Sequence, residues 1–234
     1  MTPFLGEFTG TALLILLGDG VVANGILSKT KGNNGGWIVI TFGWAMAVFV
    51  GVFIASASSK AHLNPAVTLA FAVKGDFAWS LVPLYVGAQM LGAMAGAGVC
   101  WLAYRQHFDQ TADAGLQLAV FCTGPAIRSK GNNLLTEIIG TFVLVWGVMF
   151  IAKPTSTLGS LDALPVGLLV LAIGLSLGGP TGYAINPARD LGPRLMHAIL
   201  PIRGKGSSDW GYSWVPVLGP LIGGTLAAIV FKML

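Results

Sequence analysis

Long apolar runs alternate with short polar breaks along the chain, and six of the runs approach or exceed the roughly 20 residues that cross a bilayer as a helix. They are Phe4–Leu27, Trp37–Ala57, Ser80–Tyr104, Leu134–Ile151, Ala163–Gly178 and Trp214–Phe231. Two further runs, Pro65–Val73 and Pro187–Leu200, are too short to span. Each carries an Asn-Pro-Ala triplet at its head, in "HLNPAVTLA" (His62–Ala70) and "AINPARDLG" (Ala184–Gly192). The linkers are short except for Arg105–Asn133, a polar, glycine-containing stretch in the middle of the chain.

The pattern repeats. "EFTGT" (Glu7–Thr11) opens the first span and "EIIGT" (Glu137–Thr141) opens the fourth; each is followed by two more spans with a short run between them. Three spans per half is an odd number, so the second half must enter the membrane inverted relative to the first. Inverted repeats of this kind place their functional sites near the midplane, on discontinuous helices. The expected architecture is an all-α membrane protein: six transmembrane helices plus two re-entrant half-helices in an inverted 3+3 repeat. It forms one domain over residues 1–234, with repeats at roughly 1–104 and 134–234 joined by loop 105–133.

Composition supports lipid as the solvent. The chain is 54% hydrophobic and 9% charged, with a mean hydropathy of +0.76 and 33 glycines. A typical soluble domain is about a quarter charged, and membrane helices use glycine for close packing. The net charge of +4 is scattered between apolar runs, with no basic stripe or aromatic platform, which argues against nucleic acid. Cys100 inside an apolar run and Cys122 in a loop make neither a disulfide framework nor a metal site. No cofactor, metal box, phosphate loop or activated nucleophile is legible, so an enzyme is not expected. "MTPFLGEFTG" lacks a basic n-region and carries Glu7, so the first run is expected to persist as a membrane helix.

Asn64 and Asn186 suit the N-cap position, and Pro65 and Pro187 suit the first helical turn, where the missing N–H is no loss. One such triplet alone reads as an ordinary capped helix. Two, in register with the repeat, read as half-helices entering from opposite faces and meeting N-terminus to N-terminus at the midplane. Each contributes about half an elementary charge of positive dipole, so the junction repels a cation and ignores a neutral molecule. Non-helical backbone at that depth is tolerated only when buried or lining a water-filled cavity.

With these motifs the whole chain resembles the major intrinsic proteins, the aquaporin and glycerol-facilitator family. In aquaporin-type pores an Arg and the half-helix dipoles exclude protons and cations, and the resemblance implies that property here. It also implies a four-membered selectivity filter at Trp44, Gly174, Tyr183 and Arg189: twenty residues before Asn64, then twelve before, three before and three after Asn186. Strict water channels are similar but carry His where Gly174 stands, so a wider opening is implied. Trp44 and Tyr183 offer an apolar corner to a polyol's carbons, and Arg189 donates to its hydroxyls. The resemblance further places the carbonyls of Lys60, Ala61, His62, Gly182, Tyr183 and Ala184 along the pore, and makes Glu7, Glu137 and Asp190 supports. Asp190, Arg194 and Pro216–Val217 follow the glycerol-carrying branch.

Some positions depart from that branch: Tyr183 stands for the usual Phe, Gly124 for an aromatic and Lys60 for a small residue, while Asp19 interrupts the first span. Asp19 is expected in a solvated position near the outer mouth. His62 is expected to help Glu7, and His197 to pack against the second half-helix. The glycine pairs Gly92/Gly96 and Gly219/Gly223 are expected to pack helices within one subunit.

The implied function is a passive channel in the cell membrane for glycerol, water and other small uncharged solutes, as a homotetramer with both termini cytoplasmic. A pore tuned to a protonated small acid such as lactic acid, or a proton-coupled secondary transporter, are the alternatives. One signal opposes the implied orientation. Lys60, Lys74, Lys153 and Lys232 fall inside, whereas Lys29, Lys31, Arg105, Arg128, Lys130, Arg203 and Lys205 fall outside, which reverses the positive-inside rule.

Overall fold

The computed structural model describes residues 1–151 and 157–234, so Lys153 lies outside the described residues. Nine α-helices form among them: α1 (Pro3–Ile26), α2 (Gly36–Ser59), α3 (Pro65–Lys74), α4 (Val82–Gln110), α5 (Ala114–Phe121), α6 (Lys130–Phe150), α7 (Leu164–Leu177), α8 (Pro187–Ile199) and α9 (Val215–Lys232). Six apolar segments are long enough to cross a membrane, α4 and α7 each extended by a preceding 3₁₀ turn at Trp79–Leu81 and Gly159–Ala163. The protein is a multi-pass membrane protein.

Local chemistry sets many of the ends. Pro3, Pro83, Pro165, Pro187 and Pro216 each stand in the first two positions of a helix, where a missing N–H costs nothing. Thr2 caps α1 by accepting from Leu5 N at 3.3 Å. Gly75, with φ of +98°, closes α3 in the left-handed conformation that suits a residue without Cβ.

The two halves pack in matching ways. α1 rests on α2 and α4, and α6 rests on α7 and α9. Each half-helix lies on the last helix of the other half, α3 on α9 and α8 on α4. The glycine pairs make these contacts close. A Cβ on Gly92 or Gly96 would come within 2.4 Å of Phe8 O or 2.3 Å of Ala12 O, and one on Gly223 within 2.3 Å of Ile138 O. They pack α4 on α1 and α9 on α6 within one chain, as expected. Large apolar side chains such as Ile38, Phe42, Leu91, Leu102, Leu135 and Leu218 remain exposed, the surface that lipid covers.

The central joint differs from the expected loop at 105–133. α4 runs on to Gln110, and α5 forms behind Asp113, whose carboxylate accepts from Gly115 N at 2.7 Å and Leu116 N at 3.2 Å. Gln117 of α5 then ties the joint down by donating to the carbonyls of Phe108, Thr111 and Arg203. The second half-helix is finished similarly: Lys205 Nζ donates to His197, Ala198 and Leu200 carbonyls, satisfying the last turn of α8. Arg128 pairs with Asp209, and Lys29 donates to Gln110. Several basic residues counted against the expected orientation are therefore committed to the protein's own carbonyls and carboxylates.

Candidate functional site

The two half-helices meet at their caps. Asn64 Oδ1 accepts from Ala66 N at 2.9 Å, and Asn186 Oδ1 accepts from Ala188 N at 3.0 Å and Arg189 N at 3.3 Å. Each amide nitrogen reaches across: Asn64 Nδ2 donates to Ile185 O and Asn186 Nδ2 to Leu63 O, both at 2.8 Å. One N–H of each amide is thereby spent on the opposite loop. The second remains for another acceptor.

The loops before the caps are strained and held from behind. Lys60, Ala61 and Leu63 have φ of 65°, 52° and 52°; Gly182, Tyr183 and Ile185 have 80°, 38° and 42°. Positive φ in a non-glycine residue costs of order 1–3 kcal/mol and persists only when neighbours enforce it. The buried carboxylates supply that enforcement. Glu7 accepts from His62 N at 2.9 Å, Leu63 N at 2.7 Å, Ser59 Oγ at 2.6 Å and Gln89 Nε2 at 2.8 Å. Glu137 accepts from Ala184 N at 3.0 Å, Ile185 N at 2.9 Å and Thr181 Oγ1 at 2.7 Å. The glycine of each E-x-x-G-T motif makes room for the residue before the cap. A Cβ on Gly10 would lie 2.7 Å from Leu63 Cδ2, and one on Gly140 would lie 3.1 Å from Ile185 Cγ2.

With the N–H groups of His62, Leu63, Ala184 and Ile185 turned to the carboxylates, the loop carbonyls are left to face elsewhere. Among the described residues, no protein donor reaches the carbonyls of Lys60, Ala61, His62, Gly182, Tyr183 or Ala184. Lys60–Asn64 and Tyr183–Asn186 line a cavity of about 170 Å³ together with apolar side chains: Leu14, Val48, Val52, Leu144, Val166 and Val170 among others. The cavity lining therefore combines unpaired loop backbone with hydrocarbon side chains.

The four expected filter residues come together, three of them on the cavity wall and Gly174 against Tyr183. The Arg189 guanidinium lies 3.8 Å over the Trp44 ring, and Trp44, Tyr183 and Arg189 all line the cavity. Gly174 stands directly behind Tyr183; a Cβ there would lie 2.9 Å from Cζ and 3.0 Å from the hydroxyl. Trp37, unnoticed in the sequence, braces this corner by donating from Nε1 to Gly174 O at 3.0 Å and meeting Tyr183 edge-on at 5.8 Å. Asp190 accepts from Thr123 N and Oγ1 at 2.8 and 2.7 Å, and from Arg194 Nε at 2.8 Å, which fixes the joint after α5 to α8. Gly124 meets nothing that a Cβ would disturb.

Two expectations change, for Asp19 and His197, and the one for His62 is met through its backbone. Asp19 is fully buried rather than solvated, because Arg189 Nη1 lies 3.8 Å from its Oδ1. His62 helps Glu7 through its backbone N–H, whereas its ring faces Thr68 Oγ1 at 3.2 Å and stacks on Phe71. His197 belongs to α8 itself and bonds Ser208 Oγ at 2.9 Å. Ser59, Gln89, Thr181 and Trp37 carry no sequence signal of their own. Only the tertiary fold brings them to the site.

Spans, half-helices and a cavity between them define a membrane channel, a protein that transports rather than catalyses. The comparisons name its family. The model of the major intrinsic protein family matches residues 1–231, and the chain belongs to that family. It is 59% identical over 234 residues, covering 100% of both chains, to the probable glycerol uptake facilitator protein of Thermotoga maritima. It is 56% identical over 230 residues, covering 98% of this chain and 95% of the relative, to glycerol uptake facilitator protein 3 of Lactiplantibacillus plantarum. Among solved structures, the X-ray structure of the aquaglyceroporin from Plasmodium falciparum superposes with a TM-score of 0.87 at 31% identity, over 98% of this chain and 94% of that one.

Proposed function

We propose that the protein is a passive channel for glycerol, water and other small uncharged solutes. The observation that carries this reading is a row of loop carbonyls without a protein donor, five of them (Lys60, Ala61, His62, Tyr183 and Ala184) on residues that line a cavity otherwise walled largely by hydrocarbon. A buried carbonyl without a donor is costly, so the row favours an occupant that brings hydroxyls, and a polyol has hydroxyls along one edge and carbons along the other. The free N–H of Asn64 and Asn186 supplies donors at the middle, and Arg189 supplies them at the constriction. Trp44 and Tyr183 form the apolar corner there, and Gly174 leaves the width that a larger side chain would close.

The two relatives named glycerol uptake facilitators support the choice of solute. Cation exclusion follows from the opposed half-helix dipoles and Arg189. The residues fit roles as filter (Trp44, Gly174, Tyr183, Arg189), as pore carbonyls and as supports (Glu7, Glu137, Asp190). The chain is read as one channel domain built from two inverted repeats. Its setting is the cell membrane with both termini cytoplasmic, and four copies each carry their own pore. Flux of labelled glycerol into proteoliposomes tests the passive character: uptake should stop at equal concentrations on both sides. Accumulation above the outside concentration, driven by a proton gradient, would establish the transporter reading instead.

A further inference from the structure

One turn of α1 stands behind both sides of the constriction. A Cβ on Gly18 would lie 2.2 Å from Trp44 Cζ3, so the indole rests directly on the helix backbone. The next residue, Asp19, lies fully buried with Oδ1 3.8 Å from Nη1 of Arg189. Among the described residues, neither Asp19 oxygen nor Arg189 Nη1 has a hydrogen-bond partner. The neighbouring carboxylate, Asp190, is taken by Arg194 and Thr123. Asp19 is therefore the carboxyl group left to face Arg189.

A carboxylate within a span is expensive unless a cation faces it, and removing one partner of a buried pair leaves the other charge uncompensated. Here the remaining charge would be a guanidinium, permanently cationic and shaped to take a carboxylate through two parallel N–H bonds. It would stand at the narrowest part of the passage. A small anion settling there would restore the charge balance and occlude the pore.

We propose that Asp19 is a positioning and specificity-determining residue of the constriction. It holds the Arg189 guanidinium over the Trp44 ring and neutralises it from behind, so that the passage admits neutral solutes without being occluded by small carboxylates. The proposal rests on the reading of Arg189 as a constriction residue of a glycerol channel.

The test compares glycerol flux at neutral pH in proteoliposomes of the parent, Asp19→Asn and Asp19→Val, with sodium formate or the same concentration of sodium chloride. Formate should inhibit both variants at a concentration at least tenfold lower than any that affects the parent, with chloride inert. A merely structural role for Asp19 would lower flux equally in both salts. Formate responses that match across parent and variants overturn the proposal. So does failure of both neutral variants to assemble while Asp19→Glu assembles, which would assign Asp19 to folding alone. A parent without glycerol flux would instead count against the channel reading, and is visible before any formate is added.

Discussion

Asn64 and Asn186 lock each other's loops: each donates to the carbonyl of the residue preceding the other, at 2.8 Å in both directions. The bonds join halves of the chain more than 120 residues apart. Each asparagine also caps its own half-helix. Replacing either by Ala removes a cap, typically about 1 kcal/mol, and a cross-loop bond of about 1 kcal/mol. Asn64→Ala and Asn186→Ala should each lower stability by about 2 kcal/mol, and the double variant by less than the sum, since the two residues share one junction. Unfolding in detergent measures this; additive losses would show that the halves are not coupled there.

The carboxylates should act as braces rather than proton carriers. In Glu137→Gln one oxygen becomes an NH₂ that must face the donors of Thr181, Ala184 or Ile185. Bonds to a charged acceptor are worth about 1.5–3 kcal/mol, so the variant should lose that order of stability. The pH profile of its glycerol flux should match the parent's. A pH dependence present in the parent and abolished in the variant would move Glu137 onto a proton path.

The width of the filter depends on Gly174 and Tyr183 together. In Gly174→Ala the new Cβ would meet Tyr183 at 2.9 Å and Thr41 Cγ2 at 3.0 Å, so the ring must shift. Glycerol flux should fall several-fold while water flux falls less. Tyr183→Phe should behave oppositely. The hydroxyl is buried without a partner among the described residues, out of reach of a passing solute. Its loss should leave stability unchanged or higher and speed glycerol relative to water. Stopped-flow swelling with each solute measures both ratios; slower glycerol in Tyr183→Phe would mean that the hydroxyl pairs with the solute.

The periodic features were legible because they are written locally. The span boundaries follow prolines and apolar runs, and the E-x-x-G-T and Asn-Pro-Ala motifs announce the repeat. What they do was not legible. Gly10 and Gly140 turn out to seat Leu63 and Ile185 while Glu7 and Glu137 hold the same residues' N–H groups, a role visible only once distant loops are in place. Asp19 failed as a surface residue for the same reason. Its neutralising partner lies 170 residues downstream, and span composition alone cannot name it. The helix α5 was hidden because its eight residues, AGLQLAVF, are apolar almost throughout and show little helical periodicity; the Asp113 cap was a local cue to its start.

The central claim, a passage that accepts hydroxyls and rejects charge, is tested most directly by glycerol and proton fluxes in the same vesicles. Proteoliposomes carrying an internal pH dye should swell after inward glycerol and show rates that rise with protein content. Under an imposed pH gradient, their internal pH should relax no faster than in protein-free liposomes. Proton leak that scales with protein, or water flux without glycerol flux, would contradict the account.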